Sequence, residues 1–382
     1  MRGVLQLRVP QVVGNIDRCD GVNGSTLGGN IHSGGAPANS PPRVRFKDTQ
    51  IEMSHGAGGK ASRRLVEGLF APLLLSESAE RLTDAARVEM GGTAFALTTD
   101  SFVVHPLRFP GGSIGELAVN GTVNDLAVSG AKASAMVVTF ILEEGLSSSV
   151  LEAEVRAMSA ALKRAGVSMA GGDTKVVERG KADGMYITTA GIGIPLRGVH
   201  LDARAVRPGD RILLSGPIGD HGITILLARK DLDLEADLVS DTRSVFPMVE
   251  AMAAEAGTGI RWMRDPTRGG VATALNELAR DCGLAVELNE EEIPIHDAVR
   301  GACELLGLDP LHIANEGQFL AVVSPEYADA ALNALQLTDE GDEARIIGQI
   351  REQPANSVVV NTRYRGTRII DMLVGDPLPR IC

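Results

Sequence analysis

Two amphipathic segments in the first half of the chain predict helices. Between residues 114 and 128 the apolar positions fall on one side of a helix. Ser147 is a typical helix cap, and the helix that it starts is expected to reach about residue 165, where Gly166 favours a helix end. Apolar runs at 95–104, 136–142 and 185–194 predict strands.

The second half shows the same alternation of helical and strand-like patterns. Segments 211–215 and 319–323 predict strands, and residues 262–267 lead from a strand into a glycine turn. Helices are expected after Gly222, from Gly270 to about residue 281, and at 301–307. This alternation predicts an α+β (mixed α/β) fold with mixed rather than all-parallel sheets.

The turn at Pro208-Gly209-Asp210 predicts a domain boundary near the middle of the chain. We expect an N-terminal domain over residues 43–205, a C-terminal α/β domain over 206–372 and a mobile tail over 373–382. Residues 1–42 are rich in Gly, Asn, Ser and Pro, which favours a disordered extension or an over-long start of the reading frame.

Composition narrows the classes of partner. The formal net charge of −12 argues against nucleic acid, because phosphate contacts need a basic surface. No apolar run reaches about 18 residues, so we expect no membrane span, and the N-terminus does not resemble a signal peptide. The four cysteines are widely spaced, which favours a reducing cytoplasm over a disulfide framework; Cys282 and Cys303 are expected in the core.

The tail carries Pro377, Pro379 and a cysteine, Cys382. The prolines favour an extended run, and eight such residues reach about 25 Å at roughly 3.1 Å per residue. The tail is therefore expected to be a stiff arm with a nucleophile at its tip and without apolar anchors. A frayed terminus that happens to end on cysteine is the alternative.

Glycine turns and isolated acids are the candidate chemistry. The glycine-rich turn at 55–60, followed by a predicted helix over 61–74, can offer backbone N–H groups to an anion, although it lacks P-loop spacing. Acids beside Gly, Thr or Asn suit Mg²⁺ if the fold brings them together. Basic residues could then neutralise the phosphates of ATP. The acids are Asp100, Asp125, Asp173 and Asp265, and the basic residues are Lys175 and Arg268. Asp173 and Lys175 are predicted to lie on a Gly-Gly turn within residues 170–176, between two apolar runs.

Several motifs resemble those of the HypE hydrogenase maturation family, within the superfamily of aminoimidazole ribonucleotide synthetase and selenophosphate synthetase. The resemblance covers about residues 48–382, and the ending Pro379-Arg380-Ile381-Cys382 is specific to HypE. The other matching stretches are His55–Gly59, Thr99–Ser101, Phe109–Gly112, Asn124-Asp125, Gly172–Val176, Gly219–Gly222, Asp265–Gly270 and Ala314–Gly317.

The resemblance implies an activity, partners and an architecture. A HypF-type carbamoyltransferase would load a carbamoyl group onto the Cys382 thiol, ATP with Mg²⁺ would drive its dehydration to a thiocyanate, and the cyano group would pass to iron on a HypC–HypD complex. It also implies a two-domain synthetase-superfamily fold, a homodimer in which the N-terminal domains pair their sheets, and a flexible tail.

The resemblance also implies residue roles. Glu316 and Lys175 would serve proton transfer beside Cys382, and Asp100, Asp125, Asp173 and Asp265 would bind nucleotide and metal. The phosphates would be oriented by Asn124, Thr174 and Arg268, and the loop closing over ATP would contain His55, Gly58 and Gly59. His221 lies between glycine turns and is as well explained by a structural turn.

Two other interpretations remain at this point. The chain could be another ATP-using member of the superfamily, such as a selenophosphate synthetase or a thiamine-phosphate kinase, but neither explains Cys382. It could also be a non-catalytic scaffold for maturation proteins. ATP hydrolysis that depends on Cys382 distinguishes the dehydratase from both.

Overall fold

A computed structural model describes residues 45–75, 83–230, 232, 234–375, 378 and 380–382. The predicted extension over 1–42 lies outside these residues, as do Pro377 and Pro379 of the predicted stiff arm. Helices and strands alternate along the described chain, which confirms the predicted α+β class.

The first half builds a five-stranded sheet covered by helices. The sheet has the order β1-β2-β7-β5-β6, in which only β5 and β6 run parallel. The elements are α1 (Lys60–Leu65), α2 (Ala71–Leu74), β1 (Ala86–Met90), β2 (Thr93–Phe102), the short pair β3 (Arg108–Phe109) and β4 (Gly112–Ser113), α3 (Ile114–Val128), β5 (Ala131–Glu143), α4 (Ser148–Ala165), β6 (Ser168–Val177) and β7 (Met185–Pro195).

Helix α3 lies between the sheet and α4 and is buried along nearly its whole length. Its bounds match the prediction, because its apolar stripe is long and regular. Helix α4 is also confirmed: the Ser147 hydroxyl accepts a hydrogen bond from the N–H of Ser149, and Gly166 ends the helix in the left-handed region at φ 66°. These local signals, a cap and a glycine stop, were sufficient to place both ends of α4.

The predicted Gly-Gly turn at 170–176 is wrong. These residues belong to β6, which pairs in parallel with β5 and forms an edge of the sheet. Gly172 allows the backbones of β5 and β6 to approach closely and does not form a turn, since a Cβ there would lie 2.4 Å from the carbonyl oxygen of Val138. From 168 to 176 every residue of the strand is exposed.

The second half builds a seven-stranded sheet with the order β14-β13-β10-β12-β8-β11-β9, in which only β10 and β13 are parallel. Its elements are β8 (Arg211–Leu214), α5 (Asp220–Ala228), α6 (Phe246–Ala256), β9 (Ile260–Arg264), α7 (Gly270–Cys282), β10 (Ala285–Asn289), α8 (Asp297–Leu306), β11 (Leu320–Val323), α9 (Pro325–Gln336), β12 (Arg345–Arg351), β13 (Ser357–Asn361) and β14 (Thr367–Ile370). Cys303 is in the core as expected, and Cys282 is half-buried.

The described tail residues are docked against the body of the protein. Leu378 and Ile381 are 4% and 2% exposed and pack in the hydrophobic core that also contains the buried side of α3. The expectation of a tail without apolar anchors is therefore wrong. The N–H of Val103 donates to a backbone oxygen of Cys382 at 2.9 Å. The guanidinium of Arg380 pairs with Asp183. The end of the tail therefore lies beside the residues that follow β2, with its apolar side chains in the interior.

Two helical glycines provide a matched test of packing between α3 and α4. A Cβ on Gly115 would lie 2.2 Å from the backbone oxygen of Glu154, whereas a Cβ on Gly301 in α8 meets nothing within 4 Å. We expect Gly115→Ala to lower the free energy of unfolding by about 1–3 kcal/mol, because two backbones must separate. Gly301→Ala should leave it unchanged or raise it by up to about 1 kcal/mol. Urea denaturation measures both, and equal stabilities would contradict the assigned helix packing.

Candidate active site

The two halves and the tail together enclose a polar cavity of about 180 Å³. Its walls come from β2 and α3 of the first half, from the segments that follow β9 and precede β11, and from the last residue of the tail. The lining residues are Asp84, Thr99, Asp100, Gly121, Asp125, Arg264, Asp265, Thr267, Arg268, Glu316 and Cys382.

Three carboxylates converge in this cavity. One oxygen from each of Asp84, Asp125 and Asp265 lies within 4.8 Å of the others. Asp84 precedes β1, Asp125 lies on α3 and Asp265 follows β9, so residues nearly 200 positions apart form the cluster. Arg264 partly offsets the negative charge, since its Nε lies 2.9 Å from Asp84 Oδ1.

Burial raises the pKa values of these acids above those of ordinary carboxyl groups. Desolvation, followed by repulsion from Asp84, raises the pKa of Asp265 to about 7. Desolvation and repulsion from Asp265 raise the pKa of Asp125 well above its ordinary value, and burial also raises the pKa values of Asp84 and Asp100. Carboxylates whose pKa values are raised by burial and mutual repulsion suit a divalent cation, because a cation offsets the repulsion. Negatively charged oxygen ligands are those that Mg²⁺ prefers.

Glu316 lies on the same wall with its side chain buried. Burial and the neighbouring Asp100 and Asp265 raise the pKa of Glu316 well above its ordinary value. Its Oε1 is buried and has no hydrogen-bond partner among the residues that the structure describes. A carboxyl group with a raised pKa and a free oxygen suits proton transfer to or from a bound molecule.

Arg268 supplies positive charge opposite the acids. Negative charge on Cys382, and then the nearby acids, raise its pKa against the effect of burial. Its Nη1 donates to the carbonyl oxygen of Gly56 at 3.0 Å. Gly58 adopts φ 78°, and a Cβ there would lie 2.7 Å from the Cβ of Arg268. The glycine loop therefore packs directly on Arg268.

A residue near the C-terminus holds the rest of the glycine-rich turn at 55–60 in place. Lys60 N–H donates to the carbonyl oxygen of Leu373 at 2.9 Å, and a Cβ on Gly59 would lie 2.3 Å from that oxygen. The His55 ring is engaged locally, with Nδ1 accepting from the N–H of Glu52 and Nε2 2.8 Å from Asp48 Oδ2. In this structure His55 stabilises the loop, and its predicted contact with ATP stays a prediction.

Both the nitrogen and the oxygen of the Asn124 amide are engaged in hydrogen bonds. Its Nδ2 donates to the carbonyl oxygens of Arg243 and Glu316, both at 2.9 Å, and its Oδ1 accepts from the N–H of Val245 at 2.8 Å. The side chain thus ties α3 to the Glu316 segment. The predicted orientation of phosphates by Asn124 stays a prediction, and the contacts assign it a supporting position behind Glu316.

The predicted residues of β6 do not line this cavity. Asp100, Thr189, Val138 and Gly172 are successive partners across the sheet, which places Gly172 three strands, or about 14 Å, from Asp100. Because side chains alternate along a strand, those of residues 173 and 175 point to the opposite face from Asp100. Asp173 and Lys175 are paired there at 2.7 Å with side chains 59% and 67% exposed, and Thr174 between them is exposed.

Sequence reasoning missed Asp84 and Arg264. Asp84 lies just before β1 in a polar stretch, and nothing local distinguishes it from an ordinary surface acid. Arg264 precedes Asp265 directly and holds Glu277 at 3.2 Å as well as Asp84. A basic residue beside a candidate metal ligand is a sequence signal, and its position next to Asp265 could have identified Arg264.

Comparisons with known proteins identify the family to which the chain belongs. The profile of the AIR synthase related protein N-terminal domain matches residues 82–195, and that of the corresponding C-terminal domain matches residues 207–361. The carbamoyl dehydratase HypE of Azotobacter vinelandii is 47% identical over 340 residues, which cover 89% of this chain and 99% of that protein. The chain belongs to the HypE family.

Solved HypE structures share the fold. A HypE–HypF complex contains a chain that matches with a TM-score of 0.76 and 41% identity, covering 81% of this chain and 99% of that chain. A HypE in complex with ATP matches with a TM-score of 0.73 and 43% identity, covering 87% and 100%. These matches confirm the predicted HypE resemblance and two-domain fold. Among the described residues, no helix is both long and apolar enough to cross a membrane.

The acid cluster predicts how stability depends on pH. The pKa of Asp265 is about 7 in the folded protein against an ordinary value of 3.8, so the folded state binds more protons between these values and loses stability as the pH rises through them. Asp265→Asn removes this loss. In metal-free buffer we expect the variant to gain about 1–3 kcal/mol of unfolding free energy at pH 8 relative to the wild type, and no gain at pH 4.

Chemical denaturation at the two pH values measures this difference, and Asp329→Asn, which changes an exposed acid on α9, is the control. The same Asp265→Asn variant should lose the rise in melting temperature that Mg²⁺ with ADP produces in the wild type. A variant that is less stable than the wild type at pH 8, yet keeps the Mg²⁺ response, would contradict the assignment of a repulsive cluster that holds a cation.

Proposed function

We propose that this protein is an ATP-dependent carbamoyl dehydratase of hydrogenase maturation, acting on its own C-terminal cysteine. One observation carries the proposal: Cys382 lines the same 180 Å³ cavity as the buried acids, Glu316 and Arg268. A thiol in that position meets the groups required for phosphoryl transfer and proton transfer at once. The relative named carbamoyl dehydratase and the relative in complex with ATP support this reading.

The reaction converts a thiocarboxamide on Cys382 into a thiocyanate. ATP transfers its γ-phosphoryl group to the amide oxygen, the carbon–oxygen bond then breaks with phosphate as the leaving group, and the nitrogen gives up both of its protons. The products are the S-cyano cysteine, ADP and phosphate. Phosphorylation is needed because the oxygen would otherwise have to leave as hydroxide, a poor leaving group.

Each cavity residue has a role in this scheme. Glu316 accepts a proton from the amide nitrogen, for which its raised pKa makes the ionised form a better base than an ordinary carboxylate. Arg268 stabilises negative charge on the transferring phosphoryl group and lies beside Cys382. Asp84, Asp100, Asp125 and Asp265 would hold Mg²⁺, which when bound neutralises phosphate charge.

The tail has to leave the cavity between steps. The thiol must meet the carbamoyl donor, the ATP site and the iron acceptor in turn, so we propose that the docked state described here alternates with an outward one. A HypF-type carbamoyltransferase is the proposed donor partner, in line with the HypE–HypF complex of a relative. A HypC–HypD complex is the proposed acceptor. We place the reaction in the cytoplasm, where the Cys382 thiol stays reduced.

A homodimer accounts for the exposed residues of β6. The sheet face turned away from α3, here called the open face, carries exposed apolar side chains at Leu97, Val137 and Ile194. Asp173 and Lys175 lie on this face at the exposed sheet edge, out of reach of their own cavity. Two copies that pair their open faces would bury this surface and let β6 of each copy complete the partner's site.

Cys382 is the first test of the proposed chemistry. Wild-type protein incubated with the carbamoyltransferase, carbamoyl phosphate and ATP–Mg²⁺ should gain the mass of a carbamoyl group and then lose one water. A nitrile band should appear in the infrared spectrum. Cys382→Ala should show neither change, whereas Cys303→Ala, which alters a buried cysteine of α8, should retain both. A protein that is carbamoylated but never loses water would be a carrier or scaffold.

Mixed dimers test whether β6 acts across the interface. One copy carries Asp265→Asn and the other Lys175→Ala, and the mixed dimer is isolated through two different N-terminal tags. If β6 serves the partner's cavity, one of the two sites is intact, and dehydration should proceed at about half the wild-type rate per dimer. Each variant homodimer should be inactive. A mixed dimer as inactive as the two homodimers would mean that Lys175 serves its own chain.

A further inference from the structure

A buried histidine contacts the tail backbone immediately before Cys382. His221 lies in the first turn of α5 and is fully buried. Its Nε2 lies 2.9 Å from the carbonyl oxygen of Ile381, and its Nδ1 lies 2.8 Å from the hydroxyl oxygen of Ser240. Both ring nitrogens are therefore engaged, and one of them is engaged by the tail itself.

The partners determine the direction of each hydrogen bond. A carbonyl oxygen can only accept, so Nε2 carries the proton and donates to Ile381. Nδ1 then accepts from the Ser240 hydroxyl, whose oxygen in turn accepts from the N–H of Thr242 at 3.1 Å. Burial lowers the pKa of His221 against the opposing effect of Asp241, which is consistent with a neutral ring.

The surrounding structure holds His221 rigidly. Gly219 precedes α5 with φ 92°, and a Cβ on Gly222 would lie 2.4 Å from the side chain of Ile313. These two constraints explain why glycines flank the Asp220-His221 pair. The ring also meets the edge of Phe109 at a centroid distance of 5.6 Å, and the backbone N–H of Ser240 donates to Pro110 at 2.9 Å.

The contact fixes the orientation of the reacting residue. The Ile381 carbonyl belongs to the peptide bond that precedes Cys382, and a backbone oxygen of Cys382 accepts from Val103 N–H at 2.9 Å. Hydrogen bonds thus hold the backbone on both sides of the Cys382 Cα, and the buried Ile381 side chain prevents rotation of the segment. These backbone contacts hold Cys382 in place at the cavity wall that it lines.

We propose that His221, held in one tautomer by Ser240, is a positioning residue that keeps the tail inward and directs Cys382 into the cavity. It does not touch the reacting atoms. The part of this inference that concerns the rate of dehydration rests on the proposed function, whereas the part that concerns the position of the tail does not. The tail also has polar contacts nearer the surface, among them the hydrogen bond that Arg229 donates to the Arg380 carbonyl oxygen at 2.8 Å.

The experiment compares four variants with the wild type. His221→Leu removes the donor, His221→Gln retains a donor near the position of Nε2, and Ser240→Ala removes the group that fixes the tautomer. His312→Leu is the matched control, because its Nε2 also lies 3.0 Å from a backbone oxygen, that of Asp371, upstream of the tail. Thermal unfolding and ATP binding establish which variants are folded.

Two readouts are measured for each variant. The first is the rate at which iodoacetamide alkylates Cys382, followed by peptide mass spectrometry. For His221→Leu we expect an increase of about five- to tenfold, the effect of one lost hydrogen bond on the docked population. The second is single-turnover water loss from protein already carbamoylated by the transferase, which should slow by at least about tenfold while the loading step is not slowed.

The remaining variants make the inference falsifiable. His221→Gln should recover most of the wild-type behaviour, Ser240→Ala should change both rates by about threefold, and His312→Leu should change neither. Alkylation and dehydration rates within twofold of the wild type in folded His221→Leu would overturn the proposal; if that variant does not fold, the same result in Ser240→Ala would do so. Wild-type protein that is loaded but never loses water would instead refute the proposed function, and the alkylation rates would still decide the role of His221.

Discussion

The repulsion among buried carboxylates is the interaction on which the rest of the structure depends. Asp84, Asp125 and Asp265 come from three distant segments and are held within 4.8 Å by packing that opposes their charges. Burying like charges is unfavourable unless a cation compensates for them, and Arg264 does so only in part. The protein therefore gives up stability at this point, and it gains a cluster of acids whose mutual repulsion a bound cation would relieve.

The elements with local signals could be predicted from the sequence, and those that depend on long-range pairing could not. The bounds of α3 and α4 followed from apolar periodicity, the Ser147 cap and the Gly166 stop. For β6 the sequence predicts a turn, because two adjacent glycines favour turns. Only the pairing of β6 with β5 shows that the glycines let the two strand backbones approach closely.

The candidate site divides in the same way. Asp100, Asp125, Asp265, Arg268, Glu316 and Cys382 were named from the sequence and line one cavity. Asp84 was missed, since only the folded chain brings it to the others. The resemblance implies roles in ATP binding for Asn124 and His55, and these roles stay predictions. In the fold their hydrogen bonds go to the backbone and to Asp48, so they support the residues around them. Asp173 and Lys175 lie outside this cavity, and only the proposed dimer would bring them to a site.

The backbone of Arg380 has a consequence for the tail as a moving part. Arg380 adopts φ 58°, a conformation that costs a residue with a side chain roughly 1 kcal/mol or more. Burial of Leu378 and Ile381 favours docking, so the docked tail holds a small backbone strain against a few stabilising contacts. If the tail alternates as proposed, its release would need no external force: thermal motion would suffice once those contacts loosen, and a single cysteine could then be offered in turn to reaction partners that never meet one another.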